Sequence, residues 1–192
     1  MSTQLIIFDL DGTLVDCKPL HQAGFRWAVE QQVPNATFAD EDIEGMPTTQ
    51  KILKLQQIGI PVTSEIDQIK KEHTRAHIEE HIKFNPAIKS AFDKLYIKYK
   101  LSLCSNSRSE FVFKCLNILQ IWQFTCVFSR DYGPPKPDPW MYYRAMEINE
   151  VTPDQTVIFE DSPLGIQGAV KTGARVIEIK DSKHLIEVLD EF

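Results

Sequence analysis

Short apolar runs alternate with amphipathic segments along most of the chain. The runs have the length and composition of buried strands and occupy residues 5–8, 101–104, 125–128, 156–159 and 175–179. The amphipathic segments repeat with helical spacing over residues 87–99, 109–119, 139–149, 163–172 and 182–191. This alternation predicts an α/β fold, a Rossmann-like parallel sheet with helices on both faces, and a functional site at the carboxyl ends of the strands.

Residues 16–85 interrupt this alternation. They contain helical patterns near residues 19–32, 47–58 and 64–83, separated by proline and glycine, and no convincing strand. We therefore expect an all-helical cap inserted after the first strand, beside the strand ends, where it could act as a lid. The expected domains are a core of residues 1–15 and 86–192 and a cap of residues 16–85.

Composition and charge narrow the class of protein. The chain has 192 residues, of which 43% are hydrophobic and 25% charged, as in folded globular proteins. Its 21 basic and 27 acidic residues give a net charge of −6 without a basic block. This balance argues against nucleic acid or an anionic membrane as a partner, but allows a small anionic metabolite.

The cysteines and the first residues bear on location. The four cysteines stand singly, mostly among apolar neighbours, which is typical of buried thiols in a reducing compartment. The start of the chain has no cationic leader followed by an apolar stretch, and about 18 consecutive apolar residues occur nowhere. The expectation is a cytoplasmic protein.

Two acidic residues follow the first predicted strand. Asp9 and Asp11 are separated by one residue, so in an extended segment both side chains face the same way, and Gly12 permits a tight turn after them. Carboxylates are ligands that Mg2+ prefers. Alone, the pair could equally be two solvated acids at a strand end.

Polar residues follow other predicted strands as well. Glu160 and Asp161 come after residues 156–159, and Ser105 and Asn106 follow residues 101–104 and precede a helix, where hydroxyl, amide and backbone N–H groups can bind an anion. Lys136 lies among four prolines that restrict its backbone. Together these residues predict a phosphate site with a metal ion.

The order of these motifs resembles the haloacid dehalogenase superfamily of phosphotransferases. Residues 8–16 look like its first motif, Ser105 like the second, Lys136 like the third and Glu160 with Asp161 like the fourth. The motifs cover residues 5–168, which is most of the chain. The helical insert resembles the C1 cap of the subfamily that contains beta-phosphoglucomutase and many small sugar-phosphate phosphatases.

The resemblance implies a role for each motif residue. Asp9 would attack phosphorus to form an aspartyl-phosphate, and Asp11 would act as general acid and base. Ser105 and Lys136 would neutralise the phosphoryl oxygens, with Asn106 beside them. The resemblance further implies that the metal is Mg2+. The residues expected at the metal are Asp9, Asp11 through its backbone carbonyl, Asp161, and Glu160 as a ligand or a neighbour of the ligands.

Cap residues bear on the choice between a phosphatase, which hydrolyses the phosphoenzyme, and a mutase, which returns the phosphoryl group to a sugar phosphate. His21, which is expected among the residues that bind the phosphorylated substrate, stands where the beta-phosphoglucomutase pattern has a cap histidine. This favours a mutase, although phosphatases of the subfamily carry one too. In contrast, residues 45–49 lack the arginine with which a mutase would hold a second phosphate, and Cys17 replaces a hydroxyl residue. Hydrolysis is therefore preferred to the mutase reaction.

Substrate and partners are the least determined features. Small sugar or polyol phosphates are the first expectation, followed by phosphoglycolate and nucleoside monophosphates, because cap residues select the leaving group. A catalytically silent protein that binds a phosphorylated ligand remains an alternative, although no motif residue is lost. The chain is expected to be a monomer, with a homodimer as the other possibility.

A row of histidines lies in the third predicted cap helix. His73, His77 and His81 recur every four residues and so share one side of a helix. Histidines at this spacing can share a metal ion, but a solvated or packed helix face is the preferred interpretation.

Overall fold

A five-stranded parallel sheet forms the centre of the computed structural model, which describes residues 2–43, 46 and 48–192. The strands are β1 (Leu5–Phe8), β2 (Lys100–Cys104), β3 (Cys126–Phe128), β4 (Thr156–Glu160) and β5 (Arg175–Glu178). Their order in the sheet is β3-β2-β1-β4-β5, and β1 pairs with both β2 and β4. All pairs are parallel, so the polar residues after β1, β2 and β4 lie at the same edge.

Helices occupy the segments between the strands. Their bounds are α1 (Lys18–Gln32), α2 (Thr48–Gln57), α3 (Ile66–His81), α4 (Pro86–Lys98), α5 (Ser109–Leu119), α6 (Trp140–Asn149), α7 (Pro163–Val170) and α8 (Ser182–Leu189). Asn85 begins α4 by accepting hydrogen bonds from the Ala87 and Ile88 amides, and Asp181 begins α8 by accepting one from the His184 amide. Pro153–Gln155 adds a 3-10 turn before β4.

Both faces of β1 are buried, and alternate residues pack against different helices. Leu5 and Ile7 belong to a buried cluster with Met141 and Tyr142 of α6. The Phe8 ring points the other way, with its centroid 4.8 Å from that of Phe92 on α4. Continuous apolar strands are expected where helices cover both faces of a parallel sheet. The sequence-based prediction of fold class is confirmed.

The chain divides into two compact units, Met1–Asp16 with Ile82–Phe192 and Cys17–His81. In the second unit, α1 packs against α3 around buried Phe25, Leu55 and Ile66. The two helices approach closely at Gly24, where a Cβ atom would lie 2.9 Å from the Thr74 hydroxyl oxygen. None of the helices in the described ranges combines the length and the hydrophobicity needed to span a membrane.

Candidate active site

Three strands of the first unit end in buried polar residues. Asp9 follows β1, and its backbone N–H donates to the Phe159 carbonyl of β4 at 3.0 Å. Ser105 follows β2 and its N–H donates to the Phe128 carbonyl of β3 at 2.9 Å. Glu160 is the last residue of β4. The ladder thus continues one residue past the strands and holds these side chains in fixed positions.

Lys136 forms ion pairs with acids at the ends of two strands. Its ammonium group is buried and forms ion pairs with the carboxylates of Asp9 and Glu160. Burial opposes the charge, but Asp9 and Glu160 raise the pKa of Lys136 well above its ordinary value. The lysine is therefore held as a cation between two acids, where an anionic phosphoryl group would also be attracted.

Asn106 fixes the backbone of the segment that carries Lys136. The Asn106 side-chain oxygen accepts a hydrogen bond from the Lys136 N–H at 2.8 Å, and its amide nitrogen donates to the Lys136 carbonyl at 3.2 Å. Both polar atoms of the amide are therefore used on one residue. The sequence placed Asn106 beside the phosphate; the contacts observed here are to the lysine backbone.

Glu160 is enclosed by hydrogen-bond donors. Its Oε1 accepts from Lys136 and, at 2.6 Å, from the Tyr142 hydroxyl, while the Ser162 hydroxyl lies 3.4 Å from Oε2. Gly165 leaves room for this carboxylate, because a Cβ atom there would lie 2.0 Å from Oε2. Burial, partly offset by Lys136, raises the pKa of Tyr142, so its hydroxyl remains a donor.

Asp161 provides a test of whether this site fits a metal ion. One oxygen each of Asp9, Glu160 and Asp161 lie within 4.8 Å of one another. Asp161 Oδ1 is buried and has no hydrogen-bond partner among the described residues. Burial and the neighbouring Glu160 raise the pKa of Asp161 to about 6. Clustered acids with an unsatisfied buried oxygen fit a hard divalent cation such as Mg2+.

The turn after β1 allows Asp161 to approach the backbone. Gly12 has a φ of +90°, and a Cβ atom there would lie 2.0 Å from Asp161 Oδ2. Asp11 precedes this glycine, and its Oδ2 accepts a hydrogen bond from the Ser107 hydroxyl at 2.6 Å. Ser107 in turn follows β2, so the contact links the first and second motifs.

The structure brings together most of the sequence-predicted residues, namely Asp9, Asp11, Ser105, Asn106, Lys136, Glu160 and Asp161. His21 lies on α1 in the second unit. Gly45 and Pro47 of the cap loop lie outside the described residues.

Sequence analysis missed the contacts of Tyr142, Ser107 and Gly165. Tyr142 is fully buried on α6. Its position on an apolar helix face predicts burial, but not which polar group its hydroxyl meets. A buried tyrosine usually finds a partner for its hydroxyl, and that general rule was the available signal.

Two histidines of the row stack on each other on α3. The His73 and His77 rings lie with centroids 4.0 Å apart, and the Trp27 ring packs 5.1 Å from His73. In the described ranges, neither group of three or more converging metal-ligand side chains includes these histidines. The stacked rings agree with the preferred interpretation of the row as a packed face.

Comparison with known proteins identifies the family of this chain. The profile of the haloacid dehalogenase-like hydrolases matches residues 6–179. A Thermotoga maritima "phosphorylated carbohydrates phosphatase" is 27% identical over 196 residues, covering 96% of this chain and 90% of the relative. Pyrophosphatase PpaX of Oceanobacillus iheyensis is 26% identical over 198 residues, covering 96% and 89%.

Solved structures show the same architecture. The crystal structure of an Agrobacterium tumefaciens haloacid dehalogenase-like protein of unknown function superposes with a TM-score of 0.79 at 27% identity, over 95% of this chain and 85% of that one. The fold and the match over most of the chain define an α/β hydrolytic enzyme. The chain belongs to the haloacid dehalogenase-like hydrolase family, and the prediction of a phosphatase of this type is confirmed.

Proposed function

We propose that this protein is a Mg2+-dependent phosphatase that hydrolyses small phosphomonoesters through an aspartyl-phosphate on Asp9. The observation that carries the proposal is the buried Lys136 ammonium, which pairs with Asp9 and Glu160 at the strand ends. This cation lies beside the proposed nucleophile, where the negative charge of a transferring phosphoryl group would develop.

The reaction proceeds in two displacements. An Asp9 carboxylate oxygen forms a bond to phosphorus while the ester P–O bond breaks, and Asp11 gives its proton to the departing alcohol oxygen. Water then attacks the phosphorus, Asp11 takes a proton from it, and the Asp9–phosphorus bond breaks to release inorganic phosphate. The Ser107 hydroxyl donates to Asp11 and orients the carboxyl for both proton transfers.

Other residues hold the phosphoryl group. Ser105 is buried at the end of β2, and its hydroxyl oxygen accepts the Ser107 N–H at 3.0 Å, so its own proton can be donated to a phosphoryl oxygen. Lys136 neutralises charge on the same group. Asn106 acts through Lys136, because its side chain fixes the lysine backbone on both sides.

The acids around Asp161 would hold Mg2+. Asp9 and Asp161 would supply carboxylate oxygens, and Asp11 its backbone carbonyl. Glu160 would lie next to the ligands, since it already accepts hydrogen bonds from Lys136 and Tyr142. When bound, the ion neutralises phosphoryl charge and lets Asp9 approach an anion.

We propose sugar or polyol phosphates as the substrate class. The Thermotoga maritima relative is named for phosphorylated carbohydrates, which supports this class. Residues 45–49 contain no basic residue that could hold a second phosphate, so hydrolysis is preferred to a mutase reaction. We further propose a cytoplasmic location, since Cys104 and Cys115 are unbridged buried thiols that suit a reducing compartment. The monomer expected from the sequence is also part of the proposal.

Phosphate release from a panel of esters tests the proposal. The panel contains sugar, polyol and nucleoside phosphates, phosphoglycolate and pyrophosphate, each with Mg2+ and with a chelator. We expect metal-dependent release from sugar or polyol phosphates, and a loss of at least about a thousandfold in Asp9→Asn, because an amide cannot act as the nucleophile.

The panel also separates the alternatives. Beta-glucose 1-phosphate with a trace of glucose 1,6-bisphosphate is scored for isomerisation as well as for phosphate. Isomerisation without release would indicate a mutase, and ligand binding without any turnover would indicate a silent binding protein. Asp154→Asn, which makes the same change at an exposed residue of the 3-10 turn before β4, serves as the matched control and is expected to keep its activity.

A further inference from the structure

Tyr142 connects a helix of the core to the buried charges of the active site. It is fully buried on α6, and its hydroxyl donates to Glu160 Oε1 at 2.6 Å. The Gly165 carbonyl lies 3.3 Å from the same hydroxyl, a longer contact. A hydroxyl has a single proton, so the short bond to the carboxylate is the stronger of the two.

The same carboxylate oxygen also accepts from Lys136. Glu160 Oε1 therefore lies between an ammonium group and a phenol, both of which donate to it. The Lys136 nitrogen is also 5.5 Å from the centre of the Tyr142 ring, so the ring lies beside the cation. Lysine, glutamate and tyrosine form one buried network in which movement of any member affects the others.

Glu160 has little freedom to compensate for a lost donor. Its Oε2 side is filled by Gly165, where even a methyl group would lie 2.0 Å away, and the Ser162 hydroxyl is at a long 3.4 Å. Without the phenol, Oε1 would keep Lys136 as its only close donor. The ammonium group would then be drawn toward Glu160 and away from Asp9.

We propose that Tyr142 is a positioning residue, which holds the Glu160 carboxylate so that Lys136 remains directed at Asp9 and at the phosphoryl group. This inference rests on the proposed phosphatase function and assigns it a further residue. Tyr142 does not touch the reacting atoms; it acts through Glu160 and Lys136.

The chain offers a matched control on the same helix. Tyr143 is the next residue, is 45% exposed, and its hydroxyl donates to the Lys171 carbonyl at 3.1 Å, away from the acids. Tyr142→Phe and Tyr143→Phe therefore remove the same atom from neighbouring positions. Only the first removes a donor to Glu160.

The first test compares steady-state kinetics of the two variants on the best substrate of the panel. We expect Tyr142→Phe to lower kcat about 10- to 100-fold, as for the loss of a hydrogen bond to a charged group, with KM changed less than about threefold. Inhibition by vanadate, which mimics the five-coordinate phosphoryl group, should weaken in proportion to kcat/KM. Tyr143→Phe should match the wild type in all three quantities.

A double-mutant cycle tests whether Tyr142 acts through Glu160. In the Glu160→Ala background, Tyr142→Phe should cause less than about a threefold further loss of kcat, because the oxygen that accepts the Tyr142 hydrogen bond is already absent. Independent, multiplicative losses would overturn the proposal. So would a Tyr142→Phe enzyme with wild-type kcat, a change confined to KM, or a variant that does not fold at the assay temperature, since the hydroxyl would then serve folding.

The outcomes distinguish this inference from the function on which it rests. If the wild-type chain released phosphate from no ester, the proposed function would fail and this inference with it. If the wild type is active and Tyr142→Phe is equally active, only the positioning role fails.

Discussion

The Glu160 carboxylate fills the space that a side chain at position 165 would need, and that position is a glycine. A Cβ atom on Gly165 would lie 2.0 Å from Glu160 Oε2 and 2.6 Å from Oε1. Backbone and carboxylate approach this closely because Gly165 lies in the first turn of α7. Ser162, the residue before this helix, caps it by accepting a hydrogen bond from the Gly165 N–H at 3.1 Å. The glycine is therefore required by the site, and its φ is not in the left-handed region.

Gly165→Ala is expected to impair the enzyme through Glu160. The methyl group displaces the carboxylate from Lys136, and the buried ion pair loses its geometry, at a cost of about 1 to 3 kcal/mol in the free energy of unfolding. Phosphate release should fall at least about tenfold. Chemical denaturation and the ester assay measure the two effects.

Leu164→Ala is the control for this substitution. Leu164 lies in the same turn of α7 and is 48% exposed, so truncating it leaves Glu160 untouched. It should change activity less than about twofold. A Gly165→Ala protein as stable and active as Leu164→Ala would show that Glu160 does not occupy this space.

The principal site residues could be predicted from the sequence because each follows an apolar run. Asp9 and Ser105 come directly after strands, Glu160 is the last residue of one, and parallel strands bring their carboxyl ends to one edge. The contacts of Tyr142 could not be predicted in this way. Its helical position predicts burial, while its partner depends on the separation between α6 and β4, which the local sequence does not encode.

The histidine stack on α3 illustrates electrostatics within one element. His77 Nδ1 lies 2.8 Å from the His73 carbonyl, which holds the ring against its neighbour. Burial, and then the nearby His77, lower the pKa of His73, with a smaller lowering from His81 and an opposing effect of Glu80. The stack therefore favours a neutral His73.

The titration of His73 in the full chain is expected to occur below its ordinary pKa of 6.5. The folded state binds this proton less readily than the unfolded state. The contribution of His73 to the free energy of unfolding is therefore complete above pH 6.5, and it is lost as the pH falls through the lower pKa of the folded state. NMR titration of the histidine ring protons measures the pKa. His77→Gln should raise it by removing the like charge.

His184→Gln provides the control, because His184 lies on α8 in the other unit. It should leave the pKa of His73 unchanged. A wild-type pKa of His73 at or above 6.5, or one that does not respond to His77→Gln, would contradict the stacked arrangement.

The observed bounds of the strands and helices agree closely with the predicted ones where the sequence contains clear turn signals. β1 begins and ends as predicted, and α5 occupies the predicted residues 109–119. α7 ends at Val170, two residues before the predicted end, because the Thr172 hydroxyl donates to the Ala169 carbonyl and Gly173 turns with a φ of +80°. Such local hydrogen bonds compete with the helix and are not visible in hydrophobic periodicity.

At the scale of the whole molecule, the candidate site is assembled from distant parts of the chain. β1 and β4 are neighbours in the sheet although about 150 residues separate them, and Lys136 comes from a loop between β3 and α6. Alternating strands and helices predicted a parallel sheet, because parallel strands need crossover connections, but they did not predict the order of the strands. The pairing of Lys136 with two acids depends on loop geometry that the pattern does not determine.

The buried charges of the site lower the stability of the fold and therefore indicate a function. Lys136, Asp9 and Glu160 are each less than 10% exposed, and removing such groups from water costs several kcal/mol per ion before pairing offsets it. The arrangement pairs the Lys136 ammonium group with two acids from the ends of the neighbouring strands β1 and β4. The central claim about this site is that Asp9 accepts the phosphoryl group.

Trapping the phosphoenzyme tests that claim most directly. The Asp11→Asn variant, which cannot activate water, is mixed with Mg2+ and p-nitrophenyl phosphate labelled in its phosphoryl group, quenched in acid, and digested for mass spectrometry. The nitrophenolate leaves without the proton that Asp11 would give to an alcohol, so the first displacement can still occur. The account predicts a phosphoryl group on Asp9, absent from the Asp9→Asn/Asp11→Asn double variant. Label on another residue, or substrate turnover by Asp9→Asn at the wild-type rate, would contradict it.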